Sequence, residues 1–555
     1  MKDDKAERGA WSRREVFRVG SMATAAGVMG GIGVTDAAPA SPFDSADLAT
    51  SLRAKQAGAS HLPVPAPAPA PTQQGPQVYT RIGVRPFINL TGTYTINGGA
   101  LELPEVRDAC HQAADYAVDL DELMEKVGAR IAELIGCEAA IVTSGAAAAL
   151  SQATAACIAG SDPELMQQLP DLTGLRDEVI MPRESRNVYD HAFRSWGARV
   201  IEVDTTEAFH AALGPRTALV AVLGTGEARG PLRLEAIAAA ARKIGVPVIV
   251  DAAAELPRRP DPYLTRGADL VAYSGGKTLR GPQCAGLLLG RKDLVWAAFM
   301  NGAPHHAIGR MMKVGKEEII GMLAAVEVHI GRGIDEDYRR WASYLQEISD
   351  AVTRVPGVRT TMNKPAGASP FPTMVIDWNP AQVGITAGDV YDQLVEGEPR
   401  IMSHAAGDGY SFNVRPPAIR PGDQTLAGRR IAEVLRQAPK GVPKKKTLAT
   451  PSAELAGRWD VDVQYSRGTA RHKLLLVTSG NRVEGSHIGT RLQGTVSGTV
   501  DGDRVRLRSS LPYEGTQLTY RFDGRIQGQT IEGEVDLGEY GKARWTARRV
   551  GQVLA

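Results

Sequence analysis

Lys277 is the residue whose surroundings most clearly indicate chemistry. It ends the glycine-rich sequence Ser274-Gly275-Gly276-Lys277. Small neighbours leave a lysine amine free to meet a carbonyl group, and a lysine removed from water has a lowered pKa. An amine of this kind forms Schiff bases with carbonyl compounds. We therefore predict that Lys277 is a reacting group and not a solvated surface residue.

Asp251 is a second candidate, because it directly follows the apolar run 246–250. A run that is apolar throughout is typical of a strand buried on both faces. A carboxylate at the end of such a strand is well placed to hold a protonated ring nitrogen in a dry site. Considered alone, Asp251 could equally cap the turn or helix that follows it.

A third strand end carries the small residues Ser144, Gly145 and Ala146, which follow the apolar run 139–143. A small-residue turn that opens a helix presents free N–H groups and a hydroxyl to an anion. The same pattern is also found at ordinary helix N-termini, so by itself it leaves both interpretations open.

The elements that must position these residues lie between about 80 and 440. Short β-branched runs, such as 218–223, alternate there with helical stretches rich in Ala, Leu and Glu, such as 234–244. This alternation predicts βαβ units and an α/β domain with a mainly parallel sheet. Ligands of such sheets bind outside the carboxyl ends of the strands, where all three candidate segments are expected.

Taken in order, these segments resemble the fold-type I pyridoxal-phosphate enzymes. The resemblance is closest to the group of selenocysteine synthase (L-seryl-tRNA(Sec) selenium transferase) and D-glucosaminate-6-phosphate ammonia-lyase. It extends over about 79–439 and rests on four segments in order: 89–95, 250–257, 274–277 and 313–318.

The resemblance implies a role for each candidate. Lys277 would be the Schiff-base lysine and then the proton carrier at the substrate's α-carbon, and Asp251 would pair with the pyridine nitrogen. His191 matches a position where the fold often stacks an imidazole on the cofactor. The residues implied to hold the 5′-phosphate are Ser144, Gly145, Ala146 and Ser274.

Three arginines are candidates for binding a substrate carboxylate or phosphate: Arg310, Arg400 and Arg415. A guanidinium fork matches either anion. The resemblance further implies a small-molecule amino substrate, and an active site at the interface of a homodimer or larger homo-oligomer.

The four cysteines lie far apart without a CxxC pair, so we predict small buried residues and neither a metal site nor a disulfide framework.

The amino terminus resembles a twin-arginine export signal. Arg13 and Arg14 precede a weakly apolar stretch, 19–34, and small residues around Ala38 and Ala40 offer a cleavage site. This pattern predicts passage through the twin-arginine machinery to the periplasm; the alternative is a retained membrane anchor. Twin-arginine export commonly carries proteins that have already folded around a cofactor. The Pro/Ala-alternating segment 63–71 that follows favours extended polyproline II and predicts a spacer.

The residue pattern changes in the carboxyl-terminal part, after the lysines at 444–446. Short β-branched runs separated by Gly/Asp turns predict an antiparallel meander or small barrel without a clustered set of acids, bases or metal ligands. Its predicted role is ligand binding or assembly.

The predicted organisation is a signal (1–40), a Pro/Ala-rich linker (41–78), a cofactor-binding large domain (79–329), a small α/β domain (330–439), a basic linker (440–452) and an antiparallel β domain (453–555).

Composition narrows the function. The net charge is only +2, so no overall field attracts a polyanion and nucleic acid is not expected as a partner. The leading hypothesis is a pyridoxal-phosphate lyase that removes an α-proton and eliminates a β-hydroxyl from an amino acid or amino sugar acid. A selenocysteine-synthase-like transferase, a racemase, an aldolase and a non-catalytic exported binding protein remain as alternatives.

Overall fold

The computed structural model describes residues 75–367, 369–404, 409–442 and 447–550. The predicted export signal, nearly all of the predicted Pro/Ala-rich linker and the lysines at 444–446 lie outside these residues. Three separate apolar cores occur in the described part of the chain. They belong to a large α/β unit, a small α/β unit and a carboxyl-terminal barrel.

The large unit is built on a seven-stranded sheet. Its strands follow a short strand β1, and the first eight strands are β1 (Ile88–Asn89), β2 (Ala139–Thr143), β3 (Glu178–Pro182), β4 (Arg199–Val203), β5 (Thr217–Leu223), β6 (Val248–Asp251), β7 (Leu270–Ser274) and β8 (Gly286–Gly290). The sheet order is β2-β8-β7-β6-β5-β3-β4, and β8 alone in this sheet runs antiparallel to its neighbours. The predicted mainly parallel α/β fold is therefore confirmed.

Ten α-helices occur among the described residues from 75 to 332, and several of them pack against this sheet. In chain order they are α1 (Gln77–Thr80), α2 (Pro104–Ala114), α3 (Leu120–Ile135), α4 (Ala146–Ala159), α5 (Pro163–Gln168), α6 (His191–Arg194), α7 (Thr206–Ala212), α8 (Leu234–Arg242), α9 (Lys292–Met300) and α10 (Lys316–Arg332). Helix α4 is buried on nearly every side and consists largely of alanine, because its small side chains let it pack closely against the sheet. It begins directly at the end of β2.

The small unit contains β9 (Val358–Asn363), β10 (Thr373–Trp378), β11 (Ile401–Met402), β12 (Ser411–Val414), α11 (Asp335–Val352), α12 (Ala387–Glu396) and α13 (Asp423–Gln437). Strand β1 pairs in parallel with β11. Ile88 and Leu90 are accordingly buried in the small unit's core. The prediction that the large domain starts at residue 79 is wrong for this segment, because a two-residue strand carries no pattern that reveals its distant partner.

The carboxyl-terminal unit is a closed antiparallel barrel of eight strands: β13 (Gly457–Gln464), β14 (Thr469–Ser479), β15 (Arg482–Ile488), β16 (Gln493–Asp501), β17 (Arg504–Tyr513), β18 (Thr516–Gln527), β19 (Thr530–Asp536) and β20 (Lys542–Arg549). Residues alternate between buried and exposed along most of these strands. Closure removes the unpaired edges that an open sheet would leave.

The barrel interior holds a polar chain that the sequence analysis missed. His472 Nδ1 lies 2.9 Å from His487 Nε2, and His487 Nδ1 lies 2.6 Å from Ser509 Oγ. Burial lowers the pKa of His472 and lowers that of His487 to about 3, so both rings are neutral at physiological pH. The sequence analysis predicted no clustered set of acids, bases or metal ligands in this domain and did not identify these two histidines and the serine. These residues lie on β14, β15 and β17, and the consecutive pairing of β14 to β17 brings them together.

The cysteines are less buried than predicted. Cys284 is exposed and the other three cysteines are half-buried, so the prediction of four buried cysteines is wrong.

In the part of the chain that the structure describes, no helix is both long enough and apolar enough to cross a membrane.

The barrel core predicts a specific stability effect. Trp545 is 1% exposed and its ring contacts Phe522 at a centroid distance of 5.0 Å. We expect Trp545→Ala to destabilise the barrel by about 3–5 kcal/mol through the cavity it leaves. Differential scanning calorimetry of the whole protein measures this as a lowered transition.

The matched control is Trp296→Ala, at a position that is 41% exposed on α9. It should change unfolding by about 0.5 kcal/mol or less. Equal shifts for the two variants would contradict the buried position of Trp545.

Candidate functional site

The site lies at the carboxyl edge of the large sheet, where the three predicted segments meet. In the sheet register, Gly286 at the start of β8 pairs with Thr143 on one side and Ser274 on the other. Asp251 pairs with Ala272 of the next strand. Residues that follow β2, β6 and β7 are thus brought to one edge.

The Asp251 side chain is buried, the Lys277 side chain is half-buried, and the charge of each influences the pKa of the other. Burial raises the pKa of Asp251, while a hydrogen bond from the Ala253 N–H (3.0 Å) and the charge of Lys277 lower it. Burial lowers the pKa of Lys277, and the Asp251 carboxylate acts in the opposite direction. The pair therefore offers a desolvated amine beside a desolvated carboxylate, as Schiff-base chemistry and the holding of a ring nitrogen require.

The anion-binding turn begins α4. Gly145 precedes the helix with a φ of 98°, a conformation that glycine adopts without strain. The first N–H groups of a helix have no partner within it and point at whatever lies before the helix. The Ser144 hydroxyl donates to the Met312 carbonyl at 3.0 Å. In this structure the Ser144 side chain fixes the turn, and the backbone N–H groups that begin α4 remain the groups predicted to hold an anion.

Gly286 shapes this turn from the neighbouring strand. A Cβ at this position would lie 2.6 Å from the Ala146 nitrogen. Only glycine therefore lets β8 approach the turn so closely. The sequence analysis assigned no role to this glycine, because the contact joins residues more than a hundred positions apart.

The loop of Lys277 is held by similar close contacts. A Cβ at Gly275 would lie 2.7 Å from the Met322 sulfur and 2.8 Å from the Ala285 carbonyl oxygen. The Gly276 carbonyl accepts a hydrogen bond from the Ala100 N–H at 3.0 Å. The two glycines thus serve packing and loop placement as well as access to the amine.

The segment 89–100 links the small unit to this loop. Asn89 Oδ1 accepts from the backbone N–H and the hydroxyl of Thr91 at 2.8 and 2.7 Å. Asn97 donates to the same hydroxyl at 2.8 Å. This network fixes the shape of the segment, to whose residues the sequence analysis assigned no role.

One of the three predicted arginines joins this segment. Arg415 donates to the Tyr94 hydroxyl at 3.1 Å, and its guanidinium lies 5.7 Å from the ring centroid. His404 contacts the same ring edge-on and lies 3.2 Å, through Nε2, from the Thr91 carbonyl oxygen. Burial and the charge of Arg415 lower the pKa of His404. Tyr94 and His404 are site candidates that the sequence analysis did not identify, because they meet only across the two units.

The other predicted side chains lie in different surroundings. Arg400 lies 5.8 Å from the Phe87 ring centroid. Arg310 is exposed. His191 is exposed on α6, where its Nδ1 lies 3.2 Å from Arg194. Their predicted roles stay predictions.

The donor set fits pyridoxal phosphate. A helix N-terminus at a glycine turn suits its phosphate, a buried carboxylate suits its ring nitrogen, and a desolvated lysine suits its carbonyl carbon. The fold and this donor set together define a pyridoxal-phosphate-dependent enzyme of the aminotransferase-like α/β class.

Comparisons with known proteins agree. The aminotransferase class-V family matches residues 198–320, a range that includes Asp251 and Lys277. D-glucosaminate-6-phosphate ammonia lyase of Salmonella typhimurium is 30% identical over 377 residues, which are 65% of this chain and 99% of that protein. The chain therefore belongs to the family of pyridoxal-phosphate enzymes that contains this lyase.

Other relatives have different activities. The 5′-C-glycyluridine monooxygenase-decarboxylase of a Streptomyces species is 31% identical over 375 residues, covering 64% of this chain and 92% of that protein. The L-seryl-tRNA(Sec) selenium transferase of Moorella thermoacetica is 27% identical over 416 residues, covering 65% of this chain and 83% of that protein. A solved structure of D-glucosaminate-6-phosphate ammonia-lyase matches with a TM-score of 0.58 and 29% identity, covering 65% of this chain and 99% of that one.

The pair of Asp251 and Lys277 predicts an unusual titration. Because burial lowers the pKa of Lys277, its amine should lose its proton with a midpoint below 10.5. Asp251→Asn removes the charge that raises this pKa, so the midpoint should fall further. Acylation of the cofactor-free protein across a pH series, read by peptide mass spectrometry, measures both values. A midpoint that rises in Asp251→Asn would contradict the pairing.

The contact at Gly286 predicts a loss of cofactor affinity. In Gly286→Ala the added methyl group displaces the anion-binding turn, and we expect affinity for pyridoxal phosphate to fall about tenfold or more, which corresponds to about 1.4 kcal/mol. Equilibrium dialysis measures the change. Gly331→Ala, where a Cβ meets no atom within 4 Å, is the control and should bind normally.

Proposed function

We propose that this protein is an exported pyridoxal-phosphate lyase of the ammonia-lyase type. Its substrate would be an amino acid or amino sugar acid with a hydroxyl group on the β-carbon. The observation that carries the proposal is the 30% identity to D-glucosaminate-6-phosphate ammonia lyase over nearly all of that enzyme. Asp251 and Lys277 supply the chemistry that such a reaction needs.

The chain's own groups have separate tasks. When bound, pyridoxal phosphate supplies an electron sink for negative charge at the substrate's α-carbon. Asp251 would keep the ring nitrogen protonated, and the turn at Gly145 would hold the phosphate. Lys277 takes the α-proton on Nζ, and because burial lowers its pKa, the neutral amine that can accept this proton is favoured.

The reaction balances without a further reactant. The C–H bond at the α-carbon and the C–O bond at the β-carbon break, and the hydroxyl leaves as water with the proton that Lys277 carried. The unsaturated amine that is released then takes up water and yields a 2-oxo acid and ammonia.

An anionic group on the substrate would meet Arg415. This arginine lies beside Tyr94 and His404, at the junction of the segment 89–100 with the small unit. Its guanidinium can bind a carboxylate or a phosphate in a bidentate manner. We infer that this cluster recognises the substrate's acid group, with Arg400 and Arg310 as further candidates.

Location and assembly are part of the proposal. The twin-arginine sequence at Arg13 and Arg14 supports export to the periplasm of a protein that folds around its cofactor first. We propose a homodimer or larger homo-oligomer, since enzymes of this class commonly form their active sites between subunits.

A second candidate is a decarboxylase that uses oxygen. It is favoured by the 31% identity to the 5′-C-glycyluridine monooxygenase-decarboxylase over 92% of that protein. The selenium transferase relationship extends over a smaller share of the relative and at lower identity.

A product assay tests the proposal. The cofactor-loaded protein is incubated with serine, threonine and sugar amino acids, and 2-oxo acid, ammonia, carbon dioxide and oxygen uptake are measured. We expect 2-oxo acid and ammonia in equal amounts, and a loss of about a thousandfold or more in Lys277→Ala. Carbon dioxide release with oxygen uptake would support the second candidate instead. Exchange of the α-proton for deuterium without a 2-oxo acid would indicate a racemase. Turnover of no substrate, with no visible absorbance band from bound cofactor, would indicate a binding protein.

A further inference from the structure

A hairpin turn of the carboxyl-terminal barrel contacts the large unit. Strands β17 and β18 are joined by Glu514 and Gly515, between the paired residues Tyr513 and Thr516. A Cβ at Gly515 would lie 2.5 Å from the Asn187 nitrogen, so the turn packs directly against the backbone of the large unit. The Arg194 guanidinium lies 5.5 Å from the centroid of the Tyr513 ring.

A charged contact accompanies this packing. Arg186 Nη2 donates to the Glu514 carboxylate, and Arg186 Nε donates to Asp190 at 2.5 Å. A third carboxylate, Glu202, accepts from Nη1 at 3.2 Å. The Arg186 side chain is only 11% exposed and Asp190 only 1%. Charged hydrogen bonds in such a shielded position are among the stronger ones.

The segment held by these contacts lies next to the cofactor carboxylate. The Ser185 hydroxyl accepts from the Leu223 N–H at 3.0 Å, and Leu223 pairs with Asp251 across β5 and β6. Asp190 also accepts from the Asn187 N–H at 3.2 Å, which closes the turn Val188–Asp190. The charge of Asp190 is felt at Asp251, whose pKa it raises.

Glu514 itself stands in an unfavourable conformation. Its φ is 50°, in the left-handed region where a hairpin turn ordinarily uses glycine, asparagine or aspartate. A glutamate there costs backbone energy that glycine would avoid. Local preference therefore does not explain the residue, whereas its contact with Arg186 does.

We propose that the turn Glu514–Gly515 is a positioning element of the cofactor site. Through Arg186 and Asp190 it holds the segment 185–191 against the strand end that carries Asp251. The barrel is then a working part of cofactor binding, and Glu514, Arg186 and Asp190 are positioning residues. The proposal depends on pyridoxal phosphate binding and not on the lyase reaction, so it stands or falls independently of the substrate.

The test uses Glu514→Gly in the whole protein. This variant removes the carboxylate and also relieves the backbone strain, so we expect the barrel's unfolding transition to stay or rise. Affinity for pyridoxal phosphate should nevertheless fall about tenfold, because a charged hydrogen bond that fixes the segment is lost. Hydrogen exchange of the peptide that contains Asn187 and Asp190 should become faster.

Two further variants complete the test. Gly515→Val places a side chain against Asn187 and should lower cofactor affinity in the same direction. Glu484→Gln is the matched control, since Glu484 is an exposed barrel carboxylate that pairs with Arg482 of its own strand at 2.5 Å; it should leave affinity and exchange unchanged. The proposal is overturned if Glu514→Gly and Gly515→Val bind the cofactor as tightly as the parent. It is also overturned if they lower only the barrel's unfolding temperature, since a purely structural contact would do that.

Discussion

The electrostatic interaction between the buried Asp251 and the half-buried Lys277 is the one on which the chemistry of the site depends. Each group would be costly to bury alone, because desolvation penalises a single charge in a protein interior. Together they lower that cost, and each moves the other's pKa toward the charged form. The balance leaves a lysine that is more easily deprotonated than in water and a carboxylate that is kept from solvent. Both properties serve a cofactor that needs an amine for its carbonyl carbon and an anion for its ring nitrogen.

Close backbone packing sets the distances around this pair. Gly286 lets β8 approach the anion-binding turn, and Gly275 lets the lysine loop approach Ala285 and Met322. A side chain at either position would move a whole loop, since the contacting atoms belong to well-packed neighbours. The glycines at the sheet edge therefore define the shape of the cofactor site as much as the charged residues define its chemistry.

The site is also tied to the two other units of the chain. The segment 89–100 runs from β1, which pairs in the small unit, to the Gly276 carbonyl in the lysine loop. The barrel is tied to the large unit by Arg186, which donates a hydrogen bond to the Glu514 carboxylate of the barrel. Relatives match only about two thirds of this chain, and the family chemistry is contained in that part. The proposed contact of Glu514 with Arg186 would couple the barrel to the site in that part.

The sequence by itself determined the α/β class and the antiparallel carboxyl-terminal domain, and it predicted Lys277 and Asp251 as the reacting groups. These features follow from local pattern: apolar runs of strand length, glycines beside a lysine, and a carboxylate at a strand end. The tertiary structure alone decided that Ile88 and Leu90 belong to the small unit, that Tyr94 and His404 meet Arg415, and that three polar side chains join inside the barrel. It also decided the contact between Glu514 and Arg186. Each of these pairs residues that are distant in the chain, and no local periodicity records which distant backbone a loop will pack against. The chemistry could be predicted from the sequence because it depends on residue type. The positions of the side chains and the contacts between units could not, because they depend on how the strands and loops pack in three dimensions.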